Sequence, residues 1–597
     1  MLLLISLQLF AQSDYYVQLA QEKKLSENLA WKALLHMPKE ISEVEDERFF
    51  LAIDGRVNAS AELNATIYSL YHEKSFEDNA TACLFPARVH WLKQELSLKN
   101  LPKVTCNNFN FLAKKMDGDS VSLIFPYMQG SSPSSMFGHT FLRIDSKSRP
   151  KMMSYALNYA ALHEEEEDSP LVYMYKGFFG GYKGSYSMLP YYEKIKEYRD
   201  IEERDIWEYN LNFTKEETTQ MIRHMWEVQE KNSSYYFFTQ NCAYKMFWMM
   251  EVARPSLALR DDFNFHVIPS ESIRTSIDAG LVSSTHYRPA RSTKLVAYGK
   301  KLDHADIDTV FKISADSLTP SQYVNETNAS IQTKRYVLDA SAEFIEYDYL
   351  KKEINATTYK QRLHAILISR SQLGRGENIE IPKPVDPMLS HRSFRLSADV
   401  GVRNSEFIGF LGVRPANHDI KDSDYGYLKG AQIEFMDLLF SYSKDEFKVE
   451  KATIISVSAL IPRSEFFKPE SWRFSVGWDR NYLTERTDFT ANYSMGATWG
   501  NELGYVYVLA DVFAYMDKRP TIGLGVVGGA VFNQGRDFKA NMEVTQRIYE
   551  TRDTQLLFSA SEHYRSSQNT ALSISYDYVE KNEIDWNTFK LSFDYFF

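Results

Sequence analysis

The chain has 597 residues, 25% charged and 44% hydrophobic, and its 14% aromatic content includes 38 Tyr and 38 Phe. That length exceeds what one core supports, and the composition excludes wholesale disorder. The net charge of −11 excludes the basic footprint of a nucleic-acid binder.

The first residues, "MLLLISLQLFAQSDYY", run apolar from Leu2 to Phe10 and then turn small and polar at Ala11, Gln12 and Ser13. This pattern predicts a signal peptide over residues 1–13, although a basic n-region is missing, and hence export. No later stretch supplies the ~18 apolar residues of a helical span. Three cysteines are present, Cys83, Cys106 and Cys242. In an oxidising compartment Cys83 and Cys106 are expected to bridge, closing a short loop and leaving Cys242 free. Three buried thiols in a reducing cell are the alternative.

Residues 14–115 predict a helical N-terminal domain. "LSENLAWKALLHM" repeats apolar residues at helical spacing, and "FPARVHWLKQELSL" opens with Pro86 in its first turn. From 118 to 285 the texture becomes mixed α+β. "VSLIFPYM", "HTFLRID" and "KMMSYALNYAAL" read as strands, separated by the small-residue loop "QGSSPSSMFG" and the turn "SKSRP". The acidic run "HEEEEDSP", which His163 begins, reads as a solvated loop. A helix then opens on a Thr-x-x-Glu capping box at Thr214 and Glu217, with His224 expected on its solvated side. Residues 286–388 read as a helical connector, with Tyr336, Val337, Ala340, Phe344 and Tyr347 in one stripe, and "IEIPKPVDP" as a stiff linker.

From 391 to 597, short alternating segments recur. In "TFKLSFDYFF", Phe589, Leu591, Phe593, Tyr595 and Phe597 share one face; Lys590, Ser592 and Asp594 share the other. About twelve such segments, each near the length of a membrane-crossing strand, predict an antiparallel transmembrane β-barrel that ends on an aromatic residue. A soluble sandwich would show shorter strands and a heavily charged wet face.

The chemistry centres on "QNCAYKMFWMMEVARP". Asn241 is a good N-cap, so Cys242 falls in the first turn of a helix, where free N–H groups and the macrodipole favour a thiolate. The bland reading is a small, inert core residue at a helix start. A nucleophile needs a base, and His139 opens a strand directly after a loop whose small residues let the backbone approach a substrate. Folding "HTFLRID-SKSRP-KMMSYALNYA" about residues 148 and 149 sets Asn158 beside His139, where an amide could hold the imidazole tautomer. Tyr155, Tyr159 and Asp145 are its rivals.

"SSPSSMFGHTFLRI", "YALNYAA", "GGYKGSYSMLPYYEKIKEY", "RDIWEYNL" and "QNCAYKM" together resemble the Lnb N-terminal periplasmic domain family. That family is similar to the circularly permuted papain-like (NlpC-like) fold, a group that includes lecithin retinol acyltransferase. The resemblance implies thiol-based acyl chemistry, with Cys242 as nucleophile and His139 as base. It also implies lipoprotein N-acylation with a phospholipid donor, although the family's named member is anchored by helices where this chain predicts a barrel.

The sequence therefore predicts an outer-membrane-anchored periplasmic Cys–His acyltransferase or hydrolase acting on phospholipid or lipoprotein, or alternatively on peptidoglycan as a peptidase. Asn158 would be the third catalytic member, and Ser134, Ser135, Gly138 and Asn241 would form the oxyanion and substrate loop. A transport or secretion barrel with a non-catalytic binding domain is the rival. No cofactor or metal is expected, since His and carboxylates show no ligand spacing.

Overall fold

The computed structural model describes the whole chain except residues 1, 128, 131–135, 137, 163–169, 264–265, 445, 482–485, 517–518 and 583. The His163 and acidic-loop expectation therefore lies outside the described residues. The chain divides into two compact units: residues 1–127, 138–199 and 205–288 form the first, and 128–137, 200–204 and 289–597 the second.

The first unit joins a helical N-terminal region to a seven-stranded antiparallel sheet. Its strands are β1 (Ser120–Pro126), β2 (Phe141–Asp145), β3 (Tyr155–Leu162), β4 (Tyr182–Pro190), β5 (Ile206–Leu211), β6 (Asn232–Tyr235) and β7 (Val282–Arg288), in the order β6-β4-β3-β2-β1-β5-β7. β1 and β2 are buried nearly throughout, Val121, Leu123, Ile124, Leu142 and Ile144 among apolar neighbours and Arg143 paired with Asp145. The predicted strand from Lys151 begins later, because Lys151–Met153 forms a 3-10 turn before β3.

A buried charge network knits the helical region to this sheet domain. Helix Pro86–Leu96 begins with its proline at the first position, which leaves the next N–H groups seeking acceptors. Glu227, from helix Lys215–Val228, supplies one oxygen to the Ala87 and Arg88 N–H groups at 2.6 and 3.0 Å. Arg88 in turn donates to Glu62 at 2.6 Å and to the Phe49 carbonyl at 2.8 Å, all fully buried. His224, expected on the solvated side of its helix, is instead buried within this network. Its Nδ1 lies 3.3 Å from Glu227 and its Nε2 lies 2.9 Å from His36 Nε2. Helical periodicity reports an apolar stripe and cannot reveal that a second element covers the polar side. Burial lowers the pKa of both histidines, His36 the further, so a neutral chain runs from His36 through His224 to the Glu227 carboxylate.

Breaking a buried pair by removing one partner costs more than replacing both. Arg88→Met, which strands Glu62 and Glu227, should destabilise this unit by about 3–5 kcal/mol. Urea titration of the full-length protein, followed through the tryptophan fluorescence of Trp31, Trp91 and Trp248, measures the loss.

The second unit holds the helices from Arg291 to Gln372 and a barrel. Two of those helices, Ile331–Leu350 and His304–Ser314, pack around Val337, Ala340, Ile345 and Val310 with Phe466. The barrel consists of twelve long antiparallel strands among the described residues, running from Arg395–Arg403 to Ile584–Phe596. It closes into one ring: the last strand pairs with the first, and Glu406–Arg414 pairs with Ala431–Ser443. Among the described residues each of the twelve long strands is paired on both sides, as a span through hydrocarbon requires.

Polarity in the barrel is inverted relative to a soluble protein. Val506, Val508, Val512, Leu524, Val526, Leu572, Ile574, Phe589, Leu591 and Phe593 face outward and are exposed. The alternate positions hold inward polar groups, including the pairs Arg473–Glu543, Arg547–Asp511 and Arg403–Glu450. This is the pattern of an outer-membrane barrel, with the apolar face toward lipid. Val526→Arg places a charge outward at the middle of strand Pro520–Gln534 and should cost about 2–4 kcal/mol. Folding into phospholipid vesicles, read by heat-modifiable migration, tests it.

Candidate functional site

Helix Cys242–Ala253 starts where the sequence breaks from the small-polar run "TQN" into an apolar stretch. Asn241 caps it: its side-chain oxygen accepts from the Tyr244 N–H at 3.2 Å. The Asn241 amide also donates to the carbonyls of Phe237 and Val267, at 2.8 and 2.6 Å, which fixes the approach to Cys242 from two sides. Cys242 is buried and is the free cysteine, while Cys83 and Cys106 form a disulfide.

The helix packs across β2 and β3, so its first turn meets the residues just before β2. There the Thr140 N–H and the otherwise unpartnered Thr140 hydroxyl face the Cys242 sulfur, together with the N–H groups of Ala243 and Cys242 itself. His139, one residue upstream, is half-buried. Its Nε2 lies 2.8 Å from Asn158 Oδ1. An amide oxygen can only accept, so Nε2 carries the proton and Nδ1 is left as the basic nitrogen. The ring also stacks on Tyr198, with centroids 5.5 Å apart, and that tyrosine is held in a core with Phe141, Tyr191 and Ile195.

The hairpin register differs from simple reflection about the turn. Reflection pairs residue 142 with 155, whereas Leu142 pairs with Leu157, two residues further. A two-residue slip keeps every side chain on its face. Asn158 therefore stays on the face of His139 and reaches it along the diagonal. Asp145, a rival for that role, is committed to Arg143 and Ser154. Tyr159 meets Ser233.

Gly138 takes a left-handed φ of +75°, and a Cβ there would lie 2.7 Å from the Phe125 ring. The chain can pass this point only as glycine, which sets the direction in which His139 emerges. Ser134 and Ser135 lie outside the described residues.

Electrostatics at the sulfur run against the helix-terminus argument. Burial pushes the Cys242 thiol pKa up, and the hydrogen bonds from Thr140 and the first-turn N–H groups only partly offset it. One turn on, Lys245 is buried with its ammonium 2.8 Å from Glu43, which also accepts from Trp248 and Tyr244 at 2.8 Å each. Burial would raise the Glu43 pKa, but the Lys245 ion pair and these hydrogen bonds leave it lowered. The pair is thus internally neutralised and offers Cys242 no net cation. Thr140 and Tyr198 were not singled out by sequence; nothing in a strand-opening Thr or a tyrosine of a Lys/Glu-rich stretch distinguishes them.

Residues 108–279 match the Lnb N-terminal periplasmic domain. The matched span holds Cys242, His139 and Asn158. Three domains of unknown function match residues 23–95, 285–382 and 384–596. No curated protein matches the sequence. The barrel is similar to the KdgM porin, at 8% identity over 34% of this chain and 99% of that one, with a TM-score of 0.23. It is similar to a loop-deletion mutant of OmpT, an outer membrane protein of Vibrio cholerae, at 7% identity over 34% and 97%, TM-score 0.21. An outer membrane channel from Pseudomonas putida F1 aligns at 9% identity over 36% and 97%, TM-score 0.24. The barrel with its outward apolar face lies in the outer membrane, and the Lnb domain is periplasmic.

The raised thiol pKa has a direct readout, because Cys242 is the single free cysteine. Only thiolate alkylates, so a raised pKa lowers the reactive fraction at neutral pH. Iodoacetamide labelling of the full-length protein should be slower at pH 7 than that of an exposed thiol. It should still be climbing beyond the ordinary thiol range, where an exposed thiol has levelled off. Mass spectrometry across a pH series checks this.

Proposed function

We propose that the Lnb domain carries out thiol-based acyl transfer or hydrolysis on lipid or lipoprotein acyl groups, within a permuted papain-like fold. The supporting observation is the arrangement around β2: the Cys242 sulfur against Thr140, and the neighbouring His139 held by Asn158 at 2.8 Å with Nδ1 left basic.

In this reading His139 Nδ1 takes the Cys242 proton, and the thiolate adds to an ester or amide carbonyl. The Ala243 and Cys242 N–H groups, which face the sulfur, donate to the developing oxyanion as the carbonyl opens. Collapse expels the alcohol or amine with the proton from the imidazolium, and an incoming amine or water, deprotonated by His139, releases the acyl group. A high resting thiol pKa suits such a pair, since proton transfer is then coupled to attack and the site does not hold a free thiolate. Attachment to an outer-membrane barrel favours lipid or envelope substrates, because a tethered domain meets them at raised effective concentration.

Intact mass of the full-length protein after incubation in phospholipid vesicles is the test. A hydroxylamine-labile adduct of fatty-acyl size on Cys242 is expected, absent in Cys242→Ala. His139→Ala should form it ~10²-fold or more slowly, and Asn158→Ala less severely. Absence of the adduct, with labelling by a peptide-like electrophile instead, would replace lipid chemistry with amide cleavage of the cell wall. Absence of both would sink the thiol mechanism.

A further inference from the structure

Within the second unit, a buried cluster in the barrel segment has the composition and shape of a metal site. His391 precedes the first barrel strand, His418 ends the segment Ala416–His418, and Asp422 follows in the next turn. All three are buried, and one ligand atom from each falls within 4.8 Å of the others. His391 Nε2 and His418 Nδ1 are 3.1 Å apart, and Asp422 Oδ2 lies 3.7 and 3.9 Å from them. Ligands at ~2.0–2.1 Å around a tetrahedral zinc stand roughly 3.3 Å apart. We propose that His391 Nε2, His418 Nδ1 and Asp422 Oδ2 bind a divalent transition ion of the zinc class.

Proton placement supports this. His391 Nδ1 lies 2.6 Å from the Arg392 carbonyl, which can only accept, so Nδ1 carries the proton and Nε2 presents a lone pair. His418 Nε2 points toward the Asp424 carboxylate, 3.8 Å away, and has no closer partner. A proton there leaves His418 Nδ1 bare as well, so two lone pairs meet across 3.1 Å. With the proton on Nδ1 instead, a bare Nε2 faces a carboxylate. That second arrangement pairs the inner nitrogens as donor and acceptor but leaves Nε2 without a donor, whereas a cation between the inner nitrogens fits the first and keeps Nε2–H directed at Asp424. The outer contacts are those of ligating histidines, one on a backbone carbonyl and one toward a carboxylate.

The setting holds the ligands in place. Asp422 Oδ2 accepts from the Asp419 N–H at 3.0 Å and from Arg414 at 2.5 Å. That guanidinium is shared with Glu434 at 3.4 Å and Asp419 at 4.0 Å, and Arg395 lies 3.8 Å from the other Asp422 oxygen. Tyr427 stacks on His418 with centroids 4.0 Å apart and donates to the His391 carbonyl at 3.0 Å. Two imidazoles and one carboxylate suit zinc better than calcium or magnesium, which take oxygen ligands. The ligands lie 27 residues apart at the widest step of the histidine pair, which is why no spacing in the sequence marks them.

The test uses tag-free full-length protein in detergent, stripped with a chelator, dialysed against Zn²⁺ and then against metal-free buffer. One zinc per chain is expected by elemental analysis, with X-ray absorption showing imidazole and oxygen ligands. His391→Ala, His418→Ala and Asp422→Asn should each lose it, while heat-modifiable migration confirms that the variant barrels are folded. Failure of the native protein to retain zinc overturns the site. Retention undiminished in all three variants places the metal elsewhere and overturns it equally. Where a variant does not fold, the ligand set seen by X-ray absorption on the native protein decides alone.

Discussion

Hydrocarbon offers no water to a strand edge, and that single constraint shapes everything from Arg395 onward. Each backbone N–H and C=O must find a partner in the next strand, so the sheet has to close. Closure is achieved by Phe589 and its neighbours pairing with Val402 and its neighbours, and by Leu438–Tyr442 pairing with Gly409–Val413. Once the edges are gone, the two faces divide the remaining work. Aliphatic and aromatic side chains meet lipid, and the inward positions can hold Arg, Glu and Asp only because they pair with one another.

The first unit has an apolar core, into which it also draws charged and polar groups. Glu227 shows how far this goes: one carboxylate caps helix Pro86–Leu96, neighbours Arg88 and terminates the His36–His224 chain. Such groups contribute little net stability when all are present but penalise any misplaced packing of the helices against the sheet. The site benefits from this rigidity, because helix Cys242–Ala253 lies in the same core, with Trp248 stacked on His36. Positions fixed by such buried contacts do not need to readjust when charge appears at the sulfur.

How much of this was legible in sequence depended on whether a local rule sufficed. The barrel was, because alternation over ten or more residues is a one-dimensional signal, and Phe589 to Phe597 carry it plainly. The cap at Asn241 and the capping box at Thr214 and Glu217 were too, being set by residues three apart. The proximity of Asn158 to His139 survived a wrong register because the error was even, and an odd slip would have turned Asn158 to the other face. His224 was misread because the elements that cover it, bringing His36 and Arg88, arrive from segments more than a hundred residues away. Thr140 and the His391–His418 pair failed for the same reason: contact across the fold leaves no period in the chain.

Cys242 shows two principles in competition, and the structure ranks them. A helix N-terminus lowers a thiol pKa through N–H groups and the dipole, whereas burial raises it by removing the water that would solvate the anion. At Cys242 burial wins, even with Thr140, Ala243 and its own N–H directed at the sulfur. The helix terminus still matters, but at a different stage. Those N–H groups stabilise negative charge wherever it forms nearby, and in a thiol reaction the charge moves from sulfur to the carbonyl oxygen within a few ångströms. An arrangement too weak to ionise the resting thiol can therefore favour the tetrahedral species once a carbonyl has displaced the residual solvent and His139 has taken the proton.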